Sequence, residues 1–205
     1  MEIKQALDEL RKEEKRKFDQ TVDLIVNLRG IDVKKDSINV IADVPNKIKE
    51  KKICGFLNSK SELVKTITQA DFAKFKDKNS LKNLVKDYDF FIASASLMPK
   101  VATVFGKVLG PAGKMPSPQL GVLMKEEGKD IKELLKKIEQ SVKVRAKEAS
   151  IKISVGKESM KDEAILENAE SVYKAIVNAL PNKKENIKNV MIKFTMTKPI
   201  KLEMK

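Results

Sequence analysis

The apolar pattern of this chain changes texture twice, and the change restricts the folds open to it. Near the N-terminus, and again beyond about Ser141, apolar and polar residues alternate with the period of strands that have one polar face. Val22, Leu24, Val26 and Leu28 alternate with Thr21, Asp23, Ile25 and Asn27. Ile38, Val40, Ala42 and Val44 repeat the pattern until Pro45 ends it. Between these regions, short continuous apolar runs, Ile53–Leu57 and the stretch Tyr88–Ser94, alternate with helical periodicities. That is the texture of a parallel sheet covered on both faces. The expected class is α/β in two domains. A discontinuous α+β domain is formed by both termini, residues 1–48 and 141–205, and a Rossmann-like three-layer α/β domain, residues 49–140, is inserted into it. Pattern alone leaves open whether the late strands complete the early sheet. If they do, the chain crosses between domains twice, which makes a natural hinge.

Individual elements follow from spacing. Ile3, Ala6, Leu7 and Leu10 give a first helix an apolar stripe, with the charges of Arg11 to Lys17 on its tail. The lysine-rich stretch Asn46–Lys52 reads as a linker. Ser59 with Glu62 reads as a capping box opening a helix. Leu97, Val101, Val104, Phe105 and Val108 recur at helical spacing, and Gly110 with Pro111 is expected to stop that helix. A helix over Asp130–Gln140 buries Ile131, Leu134, Leu135 and Ile138. Val142–Lys147 and Ile151–Val155 read as strands, and Ala164–Leu180 as a helix stopped by Pro181. Val190, Ile192, Phe194 and Met196 form the core face of a last strand. On that reading Lys193, Thr195 and Thr197 point outward, followed by Lys198, while Thr21 and Asp23 share the polar face of the early strand. Hydroxyls and ammonium groups on one face suit phosphates and ribose hydroxyls. Asp23 either balances nearby lysines or accepts from a 2′-OH.

Composition limits the chemistry. The 205 residues carry a net charge of +13 and a pI near 9.6, which points to a polyanionic partner, nucleic acid ahead of an anionic membrane surface. A solvated lysine-rich surface is the plain alternative. With no histidine, the chain has no Ser-His-Asp triad, histidine base or histidine metal site. Cys54 is the single cysteine and sits in an apolar run, as core filling, so no disulfide, metal or cofactor is expected. The charged N-terminus contains no apolar signal core, and no run reaches membrane-spanning length, so a cytoplasmic location is expected. Aromatics make up 5% of the residues, with no tryptophan, which disfavours single-strand stacking platforms and favours recognition of folded RNA by shape.

The stretch Val104–Pro118, VFGKVLGPAGKMPSP, is the most specific in the chain. As a Walker loop it fails: Val108 stands where the first glycine belongs and Met115 where the hydroxyl belongs. Instead, LGPAGKMPSP, Leu109–Pro118, resembles the signature of the archaeal branch of the large-subunit ribosomal protein family called L one, with Ala112 where arginine is common. KFDQTVDLIVNLRGID, Lys17–Asp32, is similar to the family's Lys-Phe strand, and FTMTKPIKL, Phe194–Leu202, to its Thr-Met-Gly-Pro strand end.

The resemblance implies a split domain that binds the large-subunit rRNA of the mobile stalk at the tRNA exit site. It also implies help in releasing deacylated exit-site tRNA, repression of the protein's own mRNA, and a monomer outside the ribosome. Site residues carried over are Lys17, Phe18, Thr21, Asp23, Thr195 and Met196. Thr197 and Lys198 stand where the family has Gly and Pro: the threonine removes a glycine's freedom, and the lysine offers a phosphate contact. The signature loop Gly110, Pro111, Gly113, Lys114, Met115 and Pro116 would sit away from the main RNA contact. The family's Asp-Lys-Thr segment is not recognisable around Lys147–Ser150. Phe18 is either a core plug or a group that packs against the RNA minor groove. The rival readings are an RNA chaperone that binds by charge alone and a nucleotide-binding enzyme.

Overall fold

A computed structural model of the chain describes residues 2–13, 16–31, 38–75, 77–124, 126, 128–146 and 148–203, so Glu14, Lys15, Asp32 and Lys147 of the stretches above lie outside it. The alternating segments pair as antiparallel strands and the continuous apolar runs as parallel ones, giving the mixed α/β class that the pattern indicates. The chain divides into two compact units, Met1–Ile48 with Gln140–Lys205, and Lys49–Glu139.

In chain order, the first unit contains α1 (Ile3–Lys12), β1 (Thr21–Leu28), β2 (Asn39–Asp43), β7 (Ser141–Arg145), β8 (Ser150–Lys157), α5 (Asp162–Ala179), β9 (Ile187–Phe194) and β10 (Ile200–Leu202). The late strands do join the early ones. β1 lies inside an antiparallel sheet of order β10-β9-β1-β8, and β2 pairs with β7 in a second, two-stranded sheet. Val22, Leu24 and Val26 of β1 are buried with Leu7 and Leu10 of α1 and with Ile165, Ala169, Val172 and Ile176 of α5. Their alternate spacing of four and three residues is that of a helix face. Asn168 on the same helix is fully buried and fully bonded: its Nδ2 donates to the carbonyls of Asn46 and Val155, each at 3.0 Å, and its Oδ1 accepts from the Asn46 N–H at 2.9 Å.

The second unit contains β3 (Ile53–Phe56), β4 (Lys65–Ile67), α2 (Lys78–Asp87), β5 (Phe90–Ser94), α3 (Met98–Ala112), β6 (Val122–Leu123) and α4 (Gly128–Glu139). Its sheet is parallel, in the order β4-β3-β5-β6. Phe56, Phe72, Phe91 and Phe105 interlock in the core with ring centroids 4.8–6.0 Å apart. Each such pair adds about 0.5–1.5 kcal/mol beyond area burial. Cys54 lies in this core, and burial pushes its thiol up to about 12, which makes it inert packing.

Two boundaries differ from the sequence reading. No helix forms from Ser59: Asn58–Val64 is a loop leading into β4, followed by a 3-10 turn over Gln69–Phe75. The Ser61 and Thr66 hydroxyls bond the local backbone instead, and the Ser59 N–H serves a distant carboxylate. Nor do Gly110 and Pro111 stop α3. Pro111 sits in its last turn, where it forfeits only one terminal bond. The stop comes at Gly113, left-handed at φ 71°. Its N–H donates to Gly110 O at 2.9 Å and the Lys114 N–H donates to Leu109 O at 3.0 Å. This closing pair of bonds needs a residue that tolerates positive φ. Among the described residues no helix is long and apolar enough to cross a membrane.

Candidate nucleic-acid interface

Because β1 runs between β8 and β9, its first two residues meet the last residues of its neighbours: Thr21 is opposite Lys157, and Val22 is opposite Phe194. Three chain segments therefore converge at one end of the sheet: the approach to β1, the β8–α5 corner, and the turn after β9.

Gln20 joins all three. It is 2% exposed. Its Oε1 accepts from the Met196 N–H at 3.2 Å, its Nε2 donates to the Glu158 carboxylate at 3.1 Å, and its carbonyl accepts from the Glu158 N–H at 2.8 Å. Beside it, the Asp19 carboxylate accepts from the Ser159 N–H at 3.0 Å and hydroxyl at 2.9 Å, with Lys157 Nζ 3.4 Å away. Desolvation pushes the Asp19 pKa up, but Ser159 and Lys157 outweigh it and hold the carboxyl below its ordinary value.

Thr195 and Thr197 also turn their hydroxyls toward the protein. Thr195 Oγ1 accepts from the Thr21 N–H at 3.0 Å and donates to the Thr21 carbonyl at 3.4 Å, closing the end of the β1–β9 ladder. Thr197 Oγ1 accepts from the Phe194 N–H at 2.9 Å and donates to Phe194 O at 3.4 Å, so it staples its own turn. The reading of Met196 as core face and Thr197 as outward-facing is thus corrected. The strand ends at Phe194, and the next residues reverse direction, so the period of two no longer assigns faces. Among the described residues only Lys183 is a non-glycine with positive φ, so Thr197 stands in its turn without left-handed strain.

What the turn leaves outside is Met196, 59% exposed, with Lys198. Phe18 is 52% exposed beside the exposed Lys17, on a bend before β1 rather than on the strand itself, so it is no core plug. Asp23 lies further along β1, directly across from Lys193 of β9. Burial pushes its carboxyl above the ordinary value, and Lys193 works against that shift. The result is two exposed apolar side chains, each within two residues of an exposed lysine, with the turn under Met196 bonded from within by Gln20 and Thr197.

The β8–α5 corner, Lys157 to Met160, is the part of the site that sequence reading missed. Its one local signal is Gly156: a Cβ there would lie 2.9 Å from Ile165 Cγ1, so only glycine lets the corner fold against α5. The signature loop belongs to the second unit. There Lys114 Nζ donates to Val85 O at 2.6 Å and Tyr88 O at 2.7 Å, at the C-terminal end of α2. A cation is favourable at that end of a helix. Met115 packs on the phenylalanine core and Pro116 is buried. Among the described residues no cluster of His, Cys, Asp or Glu is placed to hold a metal ion.

The chain has clear relatives. The family model of the Ribosomal protein L1p/L10e family matches residues 10–198. The large ribosomal subunit protein uL1 of Pyrobaculum islandicum is 34% identical over 209 residues, covering 97% of this chain and 90% of the relative. That of Korarchaeum cryptofilum is 34% identical, covering 89% and 84%. That of Archaeoglobus fulgidus is 32% identical, covering 95% and 93%. The resemblance carried by the loop and the two strand ends thus extends along nearly the whole sequence, and the chain belongs to the ribosomal protein L1p/L10e family, a family of structural, non-enzymatic proteins.

Proposed function

We propose that this protein is a structural constituent of the large ribosomal subunit. It binds large-subunit rRNA through the strand-end patch of its split domain, residues 1–48 with 141–205, and so builds the mobile stalk at the tRNA exit site. On this reading it also assists release of deacylated tRNA from that site and represses translation of its own mRNA. The observation that carries the reading is exposed Phe18 with Lys17 on the bend before β1, and exposed Met196 with Lys198 on the turn that Gln20 holds. Apolar tips suit the shallow minor groove of folded RNA and the lysines suit its phosphates, while the net charge of +13 draws the partners together.

The test is affinity for a folded stalk rRNA fragment against an unrelated hairpin of equal length, across a salt series. The wild-type protein should prefer the stalk fragment by about 4 kcal/mol or more, in the range that separates specific from non-specific binding. Met196→Ala should lower affinity for the stalk fragment alone. Lys198→Ala should weaken both RNAs alike and reduce the salt slope by about one phosphate contact. Equal binding of both RNAs with joint release by salt would leave charge-driven chaperoning as the function.

A further inference from the structure

The second unit carries a polar constellation that RNA binding through the first unit does not use. In its sheet the chain goes from β3 to one side for β4 and to the other side for β5. At such a reversal the loops that follow neighbouring strands diverge, and α/β sheets receive ligands in the crevice this opens. Here the loops are Leu57–Ser59 after β3 and Ala95–Leu97 after β5.

A carboxylate from beyond β6 fills the space. Glu126 accepts from the Asn58 backbone N–H at 3.0 Å, Asn58 Nδ2 at 2.6 Å, the Ser59 N–H at 3.3 Å and the Ser59 hydroxyl at 3.4 Å. Asn58 Nδ2 also lies 3.0 Å from Ser96 Oγ, which is 3.1 Å from the hydroxyl of buried Ser94. All these partners of Glu126 are neutral, and among the described residues no ion pair involves it. Helix α3, which starts just after Ser96, has neither a side-chain cap nor an acidic residue in its first turn. Its positive end draws no negative charge from its own sequence. Successive backbone N–H groups with a carboxamide and hydroxyls around one oxyanion form the cradle that phosphate groups use. Burial alone would raise the Glu126 pKa; the Asn58, Ser94 and Ser59 donors outweigh it and hold the group below its ordinary value.

We propose that the β3–β5 crevice is an anion site of phosphate type kept shut by the chain's own carboxylate, with Glu126 as the resident anion and a free phosphate group as its competitor for the same donors. This gives a chemical reason why a unit with nucleotide-type strand order sits in a protein that performs no catalysis.

The experiment is a titration of the full-length protein with inorganic phosphate, read from the amide resonances of Asn58 and Ser59, for wild type, Glu126→Ala and Glu126→Gln. Glu126→Ala should bind phosphate at least tenfold more tightly than wild type, with saturable shifts at those two amides. Glu126→Gln, neutral but equal in size, should fall between them. If the alanine variant does not fold, the glutamine variant against wild type carries the same comparison. Failure of every folded variant to bind, equal binding by wild type, or shifts spread over the lysines instead of Asn58 and Ser59 would each overturn the proposal.

Discussion

The glycine-proline loop around Lys114 and the turn around Met196 each follow a core-facing segment, and each carries a lysine and a methionine, yet they use them in opposite senses. In the loop, Lys114 reaches inward to two carbonyls at the end of α2, and Met115 lies on the phenylalanine core. In the turn, Met196 and Lys198 stay outside, while the neutral side chains Gln20, Thr195 and Thr197 bond inward. The more conspicuous motif is thus spent on holding its own fold. The less conspicuous one has its backbone secured by a buried glutamine and two hydroxyls, and that leaves its large side chains free for a partner. A distinctive loop marks a demanding local geometry, and whether it meets a ligand depends on where its long side chains end.

Substitution at Gln20 should blur the contrast most. In Gln20→Leu the Met196 N–H loses its acceptor and the Glu158 carboxylate a donor, at about 1–3 kcal/mol for each group left unpaired. Thermal melting and affinity for the stalk RNA should fall together, and a stable variant with intact affinity would show that the turn holds itself. Lys114→Met comes next and should sharpen the contrast. It removes two charge-assisted bonds at a helix end, so stability should drop by about 1.5–3 kcal/mol with RNA affinity unchanged. A loss of affinity without a loss of stability would move the loop into the RNA interface.

The smallest effect is expected at Asp23. Its folded-state pKa is raised above the ordinary value of 3.8, so the folded state binds the proton more tightly than the unfolded chain does. Stability from this group is therefore greatest below the ordinary carboxylate value and declines as pH rises through the raised one. In the absence of RNA, Asp23→Asn should stabilise the protein slightly at neutral pH, and the gain should vanish below about pH 4. A loss at neutral pH would mean that attraction to Lys193 outweighs burial.

How much of this was readable follows from distance along the chain. β1 and β9 announce themselves because their neighbours lie on one face at a period of two, and α5 because its buried residues recur at helical spacing. β4 and β6, of three and two residues, are too short to carry a period. The Ser59 helix had its local signal and lost to a contact 67 residues away, where Glu126 takes the Ser59 N–H. In the candidate site, the exposed tips lie within legible strand-end motifs. The β8–α5 corner reaches them only through Gln20–Glu158 and Asp19–Ser159, pairs 138 and 140 residues apart that no local window contains. The spacing of Met196 continues that of Phe194 and so points to the core face, and nothing local reveals that the Thr197 hydroxyl already bonds the Phe194 N–H in a turn.

The interior place of β1 in its sheet governs the order in which the molecule can come into being. Thr21–Leu28 finds its partners only in Ser150–Lys157 and Ile187–Phe194, whereas the four strands of the second unit all fall between Ile53 and Leu123. Closing the longer loops first costs more entropy, so non-local pairing is the slower step. During synthesis the second unit has every strand it needs while β1 still waits for both neighbours. The strand-end patch around Gln20 therefore assembles after the second unit, and a nascent chain that has not passed Lys198 still lacks the turn that carries Met196.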